Sequence, residues 1–361
     1  MQTKDALSLE EVACCHDVPE HHDAVEWNSV PFKPGHMLDD RFSISEILSR
    51  SGMATVFKAK DRRNGNQPVA VKVPHMEFES DPNFFSRFQR EERIGLELNH
   101  PLILKFIPIE NKSRPYIVTE YLKGCTLDHL MRAMRPLPGK DALKIASLVC
   151  DALQHMHDHG IIHRDLKPQN VMICSDRTIR IMDFGIARDV VSRRITRVGN
   201  SSSMGTPDYM APEQVNGKRA DKRTDIYNLG ALLYEMLTGA LPFQDENPWA
   251  ALNARLTGDP VAPRKINPDL SAQAEEIVLR ALQREPAARY QTAAAMKAEL
   301  DGVEHVRVTG LADRLQPPTA WKPGLFQRPA VLVAAMMAPI AIAIIVVLCL
   351  ILRQHSGLPP K

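Results

Sequence analysis

The sequence predicts an α+β protein with a small β-rich unit, a larger helical unit and one C-terminal transmembrane helix. Between Arg41 and Val73, short alternating apolar runs are broken by Ser-Gly and Asn-Gly, as in antiparallel strands and their turns. Beyond Gly124 the apolar residues recur mainly at helical spacing. Residues 330–352 form an uninterrupted run without a charged side chain. These three observations fix the predicted order of the units.

Composition allows a full-sized hydrophobic core and does not identify a partner. The chain has 361 residues, of which 24% are charged, and 45 Lys and Arg against 43 Asp and Glu give a formal net charge of +2. A dedicated nucleic-acid-binding protein would be far more basic. We therefore expect no nucleic-acid partner.

Individual elements follow from local periodicity. Within the β-rich unit, apolar side chains at near-helical spacing predict one amphipathic helix over 83–98. Strand-like runs resume over 103–109 and 116–121. Helical periodicity in the larger unit is clearest over 142–159, 225–237 and 274–282.

We divide the chain into five segments. An N-terminal extension (1–39) shows no sustained period and precedes the globular domain (40–300). A proline-containing linker (301–329) leads to the apolar run (330–352), which is followed by a short tail (353–361). As a helix, the apolar run rises about 34 Å, enough to cross a hydrocarbon core of about 30 Å.

The strongest motif is His-Arg-Asp-Leu-Lys-Pro-Gln-Asn at 163–170, followed by Asp-Phe-Gly at 183–185. Together they resemble the catalytic loop and the magnesium-binding motif of eukaryotic-type (Hanks-type) serine/threonine protein kinases, most like the bacterial membrane-anchored members. The resemblance implies the two-lobed protein-kinase fold with ATP in the cleft between the lobes. It covers residues 40 to 300.

The resemblance assigns roles within this motif. It implies that Asp165 accepts or orients the proton of the substrate hydroxyl, and that Lys167 steadies the γ-phosphate. Asn170 and Asp183 would hold Mg²⁺, with Mn²⁺ as an alternative. Lys167 is typical of serine/threonine specificity, so we expect protein substrates with Ser or Thr.

Val-Ala-Val-Lys at 69–72 resembles the strand whose lysine contacts the α and β phosphates. This implies that Lys72 is catalytic and pairs with a glutamate on the following helix. Glu91 is our choice because it lies eight residues before the Asn-His-Pro at 99–101. Glu92 stays open as the alternative.

The phosphate-covering loop departs from the family pattern. Residues 49–56 read Ser-Arg-Ser-Gly-Met-Ala-Thr-Val, so Ser49, Ser51 and Ala54 fill the three glycine positions and Gly52 is the one glycine left. The loss of glycine reduces backbone freedom. We therefore expect weaker ATP binding, not its loss.

The remaining ATP-binding residues are carried over from the family. They would surround the adenine, form the hinge and gatekeeper, or cover the phosphates: Leu48, Ser49, Ser51, Gly52, Val56, Ala70, Lys72, Thr119, Glu120, Leu122 and Met172. Singly, most of them also fit an ordinary core position.

Residues 205–213, Gly-Thr-Pro-Asp-Tyr-Met-Ala-Pro-Glu, resemble the end of an activation segment. By resemblance Thr206 contacts the catalytic residues, Glu213 pairs with Arg289, and Asp225 anchors the catalytic loop. The preceding loop carries hydroxyl residues among several arginines, which favours autophosphorylation and ordering by the bound phosphate: Ser192, Thr196, Ser201, Ser202 and Ser203. An ordinary polar loop is the alternative.

Three functions were weighed. The first is a serine/threonine protein kinase tethered to a membrane, with its catalytic domain cytoplasmic, as at a bacterial inner membrane. The second, motivated by the glycine-poor loop, is a pseudokinase acting as a membrane scaffold or nucleotide sensor. The third is a small-molecule kinase, which the Ala-Pro-Glu at 211–213 disfavours. The motifs favour the enzyme and leave a homodimer open.

Overall fold

The computed structural model describes residues 32–79, 81–183 and 208–320. Through Pro318 these residues belong to one compact unit. They form a small lobe (32–120) built on a sheet and a large lobe (124–318) built on helices. The two-lobed α+β architecture predicted from the motifs is confirmed.

The small lobe is a six-stranded antiparallel sheet in the order β1-β2-β3-β4-β6-β5. Alternate residues of the long strands bury one apolar face, as shown by Phe42, Ile44, Phe57, Val69 and Val71. The strands are β1 (Met37–Leu38), β2 (Phe42–Arg50), β3 (Ala54–Asp61), β4 (Gln67–Pro74), β5 (Phe106–Ile107) and β6 (Ile117–Glu120).

Two helices complete the small lobe, α1 (Met76–Glu79) and α2 (Pro82–Glu97). Helix α2 begins at an Asp81 cap whose carboxylate accepts the Asn83 N–H. Its Gly95 allows a close approach to the sheet, because a Cβ there would lie 2.5 Å from the Phe106 ring. This contact fixes the helix that carries Glu91.

The large lobe surrounds helix α6, which is buried along nearly its whole length. The α helices of this lobe are α3 (Leu127–Ala133), α4 (Gly139–Asp158), α5 (Pro212–Val215), α6 (Lys222–Thr238), α7 (Pro248–Thr257), α8 (Pro263–Ile266), α9 (Ala272–Ala281) and α10 (Ala293–Asp301). Helix α6 packs against α4 and α9. A three-stranded antiparallel sheet, β7 (Gly124–Thr126), β8 (Val171–Cys174) and β9 (Ile179–Ile181), brings the two functional motifs together.

The long periodic elements were predicted well and the short ones were not. The predicted helix over 83–98 is α2, and the three predicted helices of the large lobe correspond to α4, α6 and α9. The predicted strand over 103–109 is wrong except at Phe106–Ile107. Pro101 and Pro108 lack the N–H that a ladder requires, so pairing is confined between them.

The chain on both sides of the predicted globular domain (40–300) packs against the two lobes. Phe32 and Leu38, from the predicted N-terminal extension, are buried in the small lobe. In the predicted linker, the Asp259 N–H donates to the Gln316 carbonyl at 2.8 Å, and Pro318 lies against Gly258. The linker through Pro318 is therefore held on the large lobe next to the end of α7.

Several predicted segments lie outside the described residues. They are most of the N-terminal extension (1–31), the end of the linker (321–329), the predicted transmembrane helix (330–352) and the tail (353–361). Of the helices in the described ranges, none combines the length and apolar character needed to cross a membrane.

Candidate active site

The two lobes meet at an ammonium group between two carboxylates. Strand β4 places Lys72 opposite Val56 of β3 and Ile117 of β6. Its Nζ lies 2.6 Å from Oε1 of Glu91 on α2 and 3.4 Å from Oδ1 of Asp183, which follows β9. Residues 111 positions apart in sequence thus form one charged cluster, here called the Lys72 cluster (Lys72, Glu91 and Asp183).

The neighbouring glutamate has a different partner. Glu92 pairs with Lys112, whose Nζ also donates to the Tyr116 carbonyl at 2.7 Å. Successive helical residues point about 100° apart, so Glu91 and Glu92 cannot serve the same lysine. Of the two glutamates left open by the sequence, Glu91 is the one that contacts Lys72.

The Lys72 cluster sets the charge of its members. Burial alone would lower the pKa of Lys72, but the carboxylates of Glu91 and Asp183 outweigh it and raise that pKa above its ordinary value. The Lys72 charge in turn lowers the pKa of Asp183. The Asp183 carboxylate is therefore ionised at neutral pH, and its side chain is 60% exposed and accessible to a cation.

The catalytic-loop residues lie between α4 and β8 in the chain. Lys167 Nζ is 3.2 Å from Oδ2 of Asp165. The Asn170 side chain donates through Nδ2 to the Asp165 carbonyl at 2.7 Å. The side-chain oxygen of Asn170 takes no part in that bond. The motif therefore places a carboxylate, an ammonium and an amide oxygen within one loop.

Asp225, at the start of α6, holds this loop from the core. Its buried carboxylate accepts the N–H groups of His163 at 2.9 Å and Arg164 at 2.8 Å, as well as Nε2 of His157 at 2.8 Å. Because a carboxylate can only accept here, Nε2 of His157 carries a proton. The loop is thereby fixed to α6, which is buried along nearly its whole length.

Backbone strain occurs at both motifs. Arg164 has φ of 65° and Asp183 has φ of 49°, in the left-handed region that side chains other than glycine rarely adopt. Such conformations persist where surrounding contacts hold them, and they concentrate at functional sites. The Asp225 contacts supply that constraint for Arg164.

The donor atoms fit a hard divalent cation. Asn170 and Asp183 offer oxygen, which Mg²⁺ prefers, and Mg²⁺ commonly takes only one or two protein ligands and completes its shell with phosphate and water. Within the described ranges, there is no cluster of three or more His, Cys, Asp or Glu side chains suited to a metal ion. The two oxygen donors of Asn170 and Asp183 therefore fit a cation that completes its shell with phosphate and water.

The predicted adenine-pocket residues lie around the cleft strands. Ala70 pairs with Thr119 across β4 and β6, and Met172 lies on β8. The apolar members Leu48, Val56, Ala70, Leu122 and Met172 are all half-buried, unlike the fully buried faces of the same sheets. The Glu120 side chain accepts the Lys105 N–H at 2.9 Å, and the Glu120 N–H donates to the Lys105 carbonyl at 2.9 Å, so this hinge residue is held against the segment that leads into β5.

The loop between β2 and β3 consists of Ser51, Gly52 and Met53. Ser49, Ser51 and Gly52 are exposed. A Cβ on Gly52 would meet nothing within 4 Å. The protein's own packing therefore does not require glycine at this position.

A second charged pair lies deep in the large lobe. Two guanidinium nitrogens of Arg289 each lie 2.8 Å from an oxygen of Glu213, and the Thr224 hydroxyl donates to Glu213 at 2.7 Å. Arg289 also donates to the carbonyls of Gln283, Arg223 and Arg284. This pair joins the end of the activation segment to the segment before α10.

Two loop anchors were missed by sequence reasoning. His157 binds Asp225, and the Gln214 amide nitrogen donates to the Arg164 carbonyl at 2.8 Å. The position of Gln214, directly after Pro-Glu at 212–213, was an available signal, whereas His157 looked like one more polar residue of a helix end. Phe184, Gly185, Thr206 and the activation-loop hydroxyls lie outside the described residues.

Comparison with known proteins gives the same result over most of the chain. Residues 42–300 match the family described as protein kinase domain. Serine/threonine-protein kinase PknB of Mycolicibacterium smegmatis is 40% identical over 272 residues, and that of Mycobacterium tuberculosis is 39% identical over 272; each match covers 74% of this chain and 43% of the relative. A probable serine/threonine-protein kinase of Streptomyces coelicolor is 38% identical over 269 residues, 73% of this chain and 40% of that protein. This chain thus spans less than half the length of these curated relatives, and it belongs to the protein kinase family.

Proposed function

We propose that this chain is a serine/threonine protein kinase that transfers the γ-phosphoryl group of ATP to hydroxyl groups of proteins. The observation that carries the proposal is the Lys72 cluster. One ammonium lies within 3.4 Å of carboxylates from a helix of the small lobe and from the Asp-Phe-Gly motif. The relatives are named serine/threonine-protein kinases, which supports the same activity.

Each side chain has a task in this proposal. Lys72, held by Glu91, neutralises phosphate oxygens of the nucleotide, and Asn170 with Asp183 would hold Mg²⁺. Mg²⁺, when bound, offsets negative charge on the phosphate oxygens. Asp165 orients the substrate hydroxyl and accepts its proton, while Lys167, 3.2 Å from Asp165, neutralises charge on the γ-phosphate.

The pseudokinase alternative rested on the glycine-poor loop alone. The charged and polar groups that transfer requires are all present: Lys72, Glu91, Asp165, Lys167, Asn170 and Asp183. A scaffold has no need of an ammonium whose pKa is raised by two carboxylates, or of an exposed carboxylate beside it. These features favour the enzyme.

The test is phosphate transfer by the purified full chain. With radiolabelled ATP and Mg²⁺, we expect label on the chain and on a Ser/Thr-containing protein, and phosphoamino-acid analysis should give phosphoserine or phosphothreonine. Asp165→Asn should lower the rate about 10³-fold or more. Equal labelling by wild type and Asp165→Asn, or no labelling by either, would overturn the proposal.

We also propose that the apolar run over 330–352 tethers the catalytic domain to the cytoplasmic face of a membrane. Its length and lack of charge support this. Two lysines in the run, Ile344→Lys and Val346→Lys, should release the chain from the membrane fraction into the soluble fraction. Retention of that variant in the membrane would count against the tether.

Activation-loop autophosphorylation and a homodimer stay predictions. The loop hydroxyls lie among arginines that would bind a phosphate. Mass spectrometry of the labelled chain should place phosphate between residues 192 and 203. An unmodified loop in active protein would exclude the switch, and sedimentation of the active chain decides the oligomeric state.

A further inference from the structure

The phosphate-covering loop carries a hydroxyl group that binds its own backbone. Ser51 Oγ accepts the N–H of Ala54 at 3.1 Å and that of Met53 at 3.3 Å. The same hydroxyl donates to the Ala54 carbonyl at 3.0 Å, which also accepts the Ser51 N–H at 2.9 Å. One serine side chain thus engages both amides at the tip of this turn.

His75, directly after β4, holds the Met53 carbonyl and the Thr55 side chain of this turn. The Met53 carbonyl accepts the His75 N–H at 2.9 Å, and the Thr55 hydroxyl lies 3.0 Å from Nε2 of His75. The turn is therefore fixed to the end of β4 through its carbonyl. Its amides are the groups directed to the Ser51 hydroxyl.

Successive backbone N–H groups in a turn form an anion-binding concavity. In a protein kinase this loop covers the nucleotide phosphates. An oxygen already bound to those amides competes with a phosphate oxygen for the same donors. Glycine at position 51 would offer no such oxygen, and alanine would offer none while keeping a Cβ.

We propose that the Ser51 hydroxyl occupies the backbone amides of Met53 and Ala54 and thereby weakens the binding of nucleotide phosphates. This inference rests on the proposed function, because it takes ATP to be the ligand of the loop. It assigns the weaker ATP binding expected from the sequence to a named oxygen, in addition to lost glycine freedom. Ser51 is accordingly a positioning residue that acts through the loop amides.

The test compares ATP with adenosine, which lacks phosphates, by calorimetric titration of the full chain in Mg²⁺. Ser51→Ala frees both amides and should tighten ATP binding about fivefold, the value of roughly one net hydrogen bond. Adenosine affinity should stay within about twofold of wild type, which also shows that the variant is folded. Ser51→Thr restores the hydroxyl and should return ATP affinity to the wild-type value.

Ser45→Ala is the matched control. Ser45 lies on β2, the strand that leads into this turn, and its hydroxyl also donates to a backbone carbonyl, that of Lys58 at 3.0 Å, but away from the turn. We expect unchanged affinity for both ligands. An equal change with Ser45→Ala would overturn the inference.

Other outcomes separate this inference from the proposed function. If Ser51→Ala leaves ATP affinity unchanged or weakens it, or tightens adenosine equally, the hydroxyl does not compete with phosphate and the inference fails. If no variant binds ATP, the inference fails as well. If titrations behave as expected but wild type transfers no phosphate, the kinase function alone fails.

Discussion

Two charged groups of this protein, the Lys72 cluster and the Glu213–Arg289 pair, differ in how completely their hydrogen-bonding capacity is used. Arg289 is fully buried and Glu213 is 9% exposed, and they bond to each other, to the Thr224 hydroxyl and to backbone carbonyls. In the Lys72 cluster the Lys72 side chain is 26% exposed and Asp183 is 60% exposed. One group is closed and the other is open on the cleft side.

This difference separates a structural role from a chemical one. A buried ion pair whose hydrogen bonds are all made specifies how segments join and adds little net stability. An open cluster keeps unshared oxygen atoms and positive charge for a ligand. Substitutions in the two groups should therefore affect different measurements, and four predictions test that separation.

The largest effect is expected from Lys72→Met. Removing the ammonium should lower kcat/KM about 10³-fold, because phosphate charge in the transition state loses its neutralising partner. The free energy of unfolding should change less than it does in Arg289→Met. Steady-state kinetics and urea unfolding measure the two quantities.

Lys58→Met is its control. Lys58 lies on the adjacent strand and forms a partly exposed pair with Glu46 at 2.6 Å. Its removal should alter neither quantity measurably. Comparable loss of activity in both variants would show that the effect of Lys72→Met is not specific to the cluster.

Arg289→Met should mainly lower the free energy of unfolding, whereas Lys72→Met mainly lowers activity. It leaves the Glu213 carboxylate buried without its guanidinium, which typically costs about 3–5 kcal/mol of unfolding free energy. Arg132→Met, at an exposed pair with Asp128 one helical turn away, should cost less than about 0.5 kcal/mol. Equal unfolding free energies for the two variants would contradict the structural role of Arg289.

Glu91→Gln should reduce kcat/KM by about 10- to 100-fold, because Lys72 loses its charged partner but keeps its own charge. Glu92→Gln is the matched variant, since the adjacent glutamate pairs with Lys112. We expect little change in kcat/KM for Glu92→Gln. Steady-state kinetics on both variants would contradict the assignment if their losses were equal.

The smallest effect concerns acid stability. Burial would raise the pKa of Glu213, but Arg289 and Thr224 outweigh it and hold that pKa below its ordinary value of 4.5. The stabilisation is therefore complete above about pH 4.5 and is lost as pH falls through the lower folded-state pKa. Wild type should lose more unfolding free energy in acid than Glu213→Gln, measured by urea unfolding across pH. A steeper loss of unfolding free energy in Glu213→Gln than in wild type would contradict this prediction.

Sequence reasoning identified Lys72 and Asp183 of the Lys72 cluster because both lie in contiguous motifs, whereas Glu91 was chosen from two adjacent glutamates. Lys72, Asp165, Asn170 and Asp183 each belong to a run of three or more residues with a known order. Helix α2 was also predictable, because its apolar positions recur over sixteen residues. A long periodic segment or an ordered motif can therefore be recognised from a single sequence.

Other features could not be predicted because they depend on contacts between distant positions. The short strands β7, β8 and β9 have three or four residues, too few to show alternation. The contact between His157 and Asp225 joins residues 68 positions apart, and no local sequence pattern predicts it. The packing of the predicted linker on α7 depends on Gly258 and Pro318, which are individually ordinary loop residues.

The most direct test of the account is the effect of Mg²⁺ on ATP affinity in wild type and in Asp183→Asn. If Asp183 supplies an oxygen to a cation shared with the phosphates, Mg²⁺ should tighten ATP binding about tenfold or more in wild type and have little effect in the variant. The two titrations use the same full chain and differ in one side chain. An equal gain from Mg²⁺ in both proteins would contradict the account.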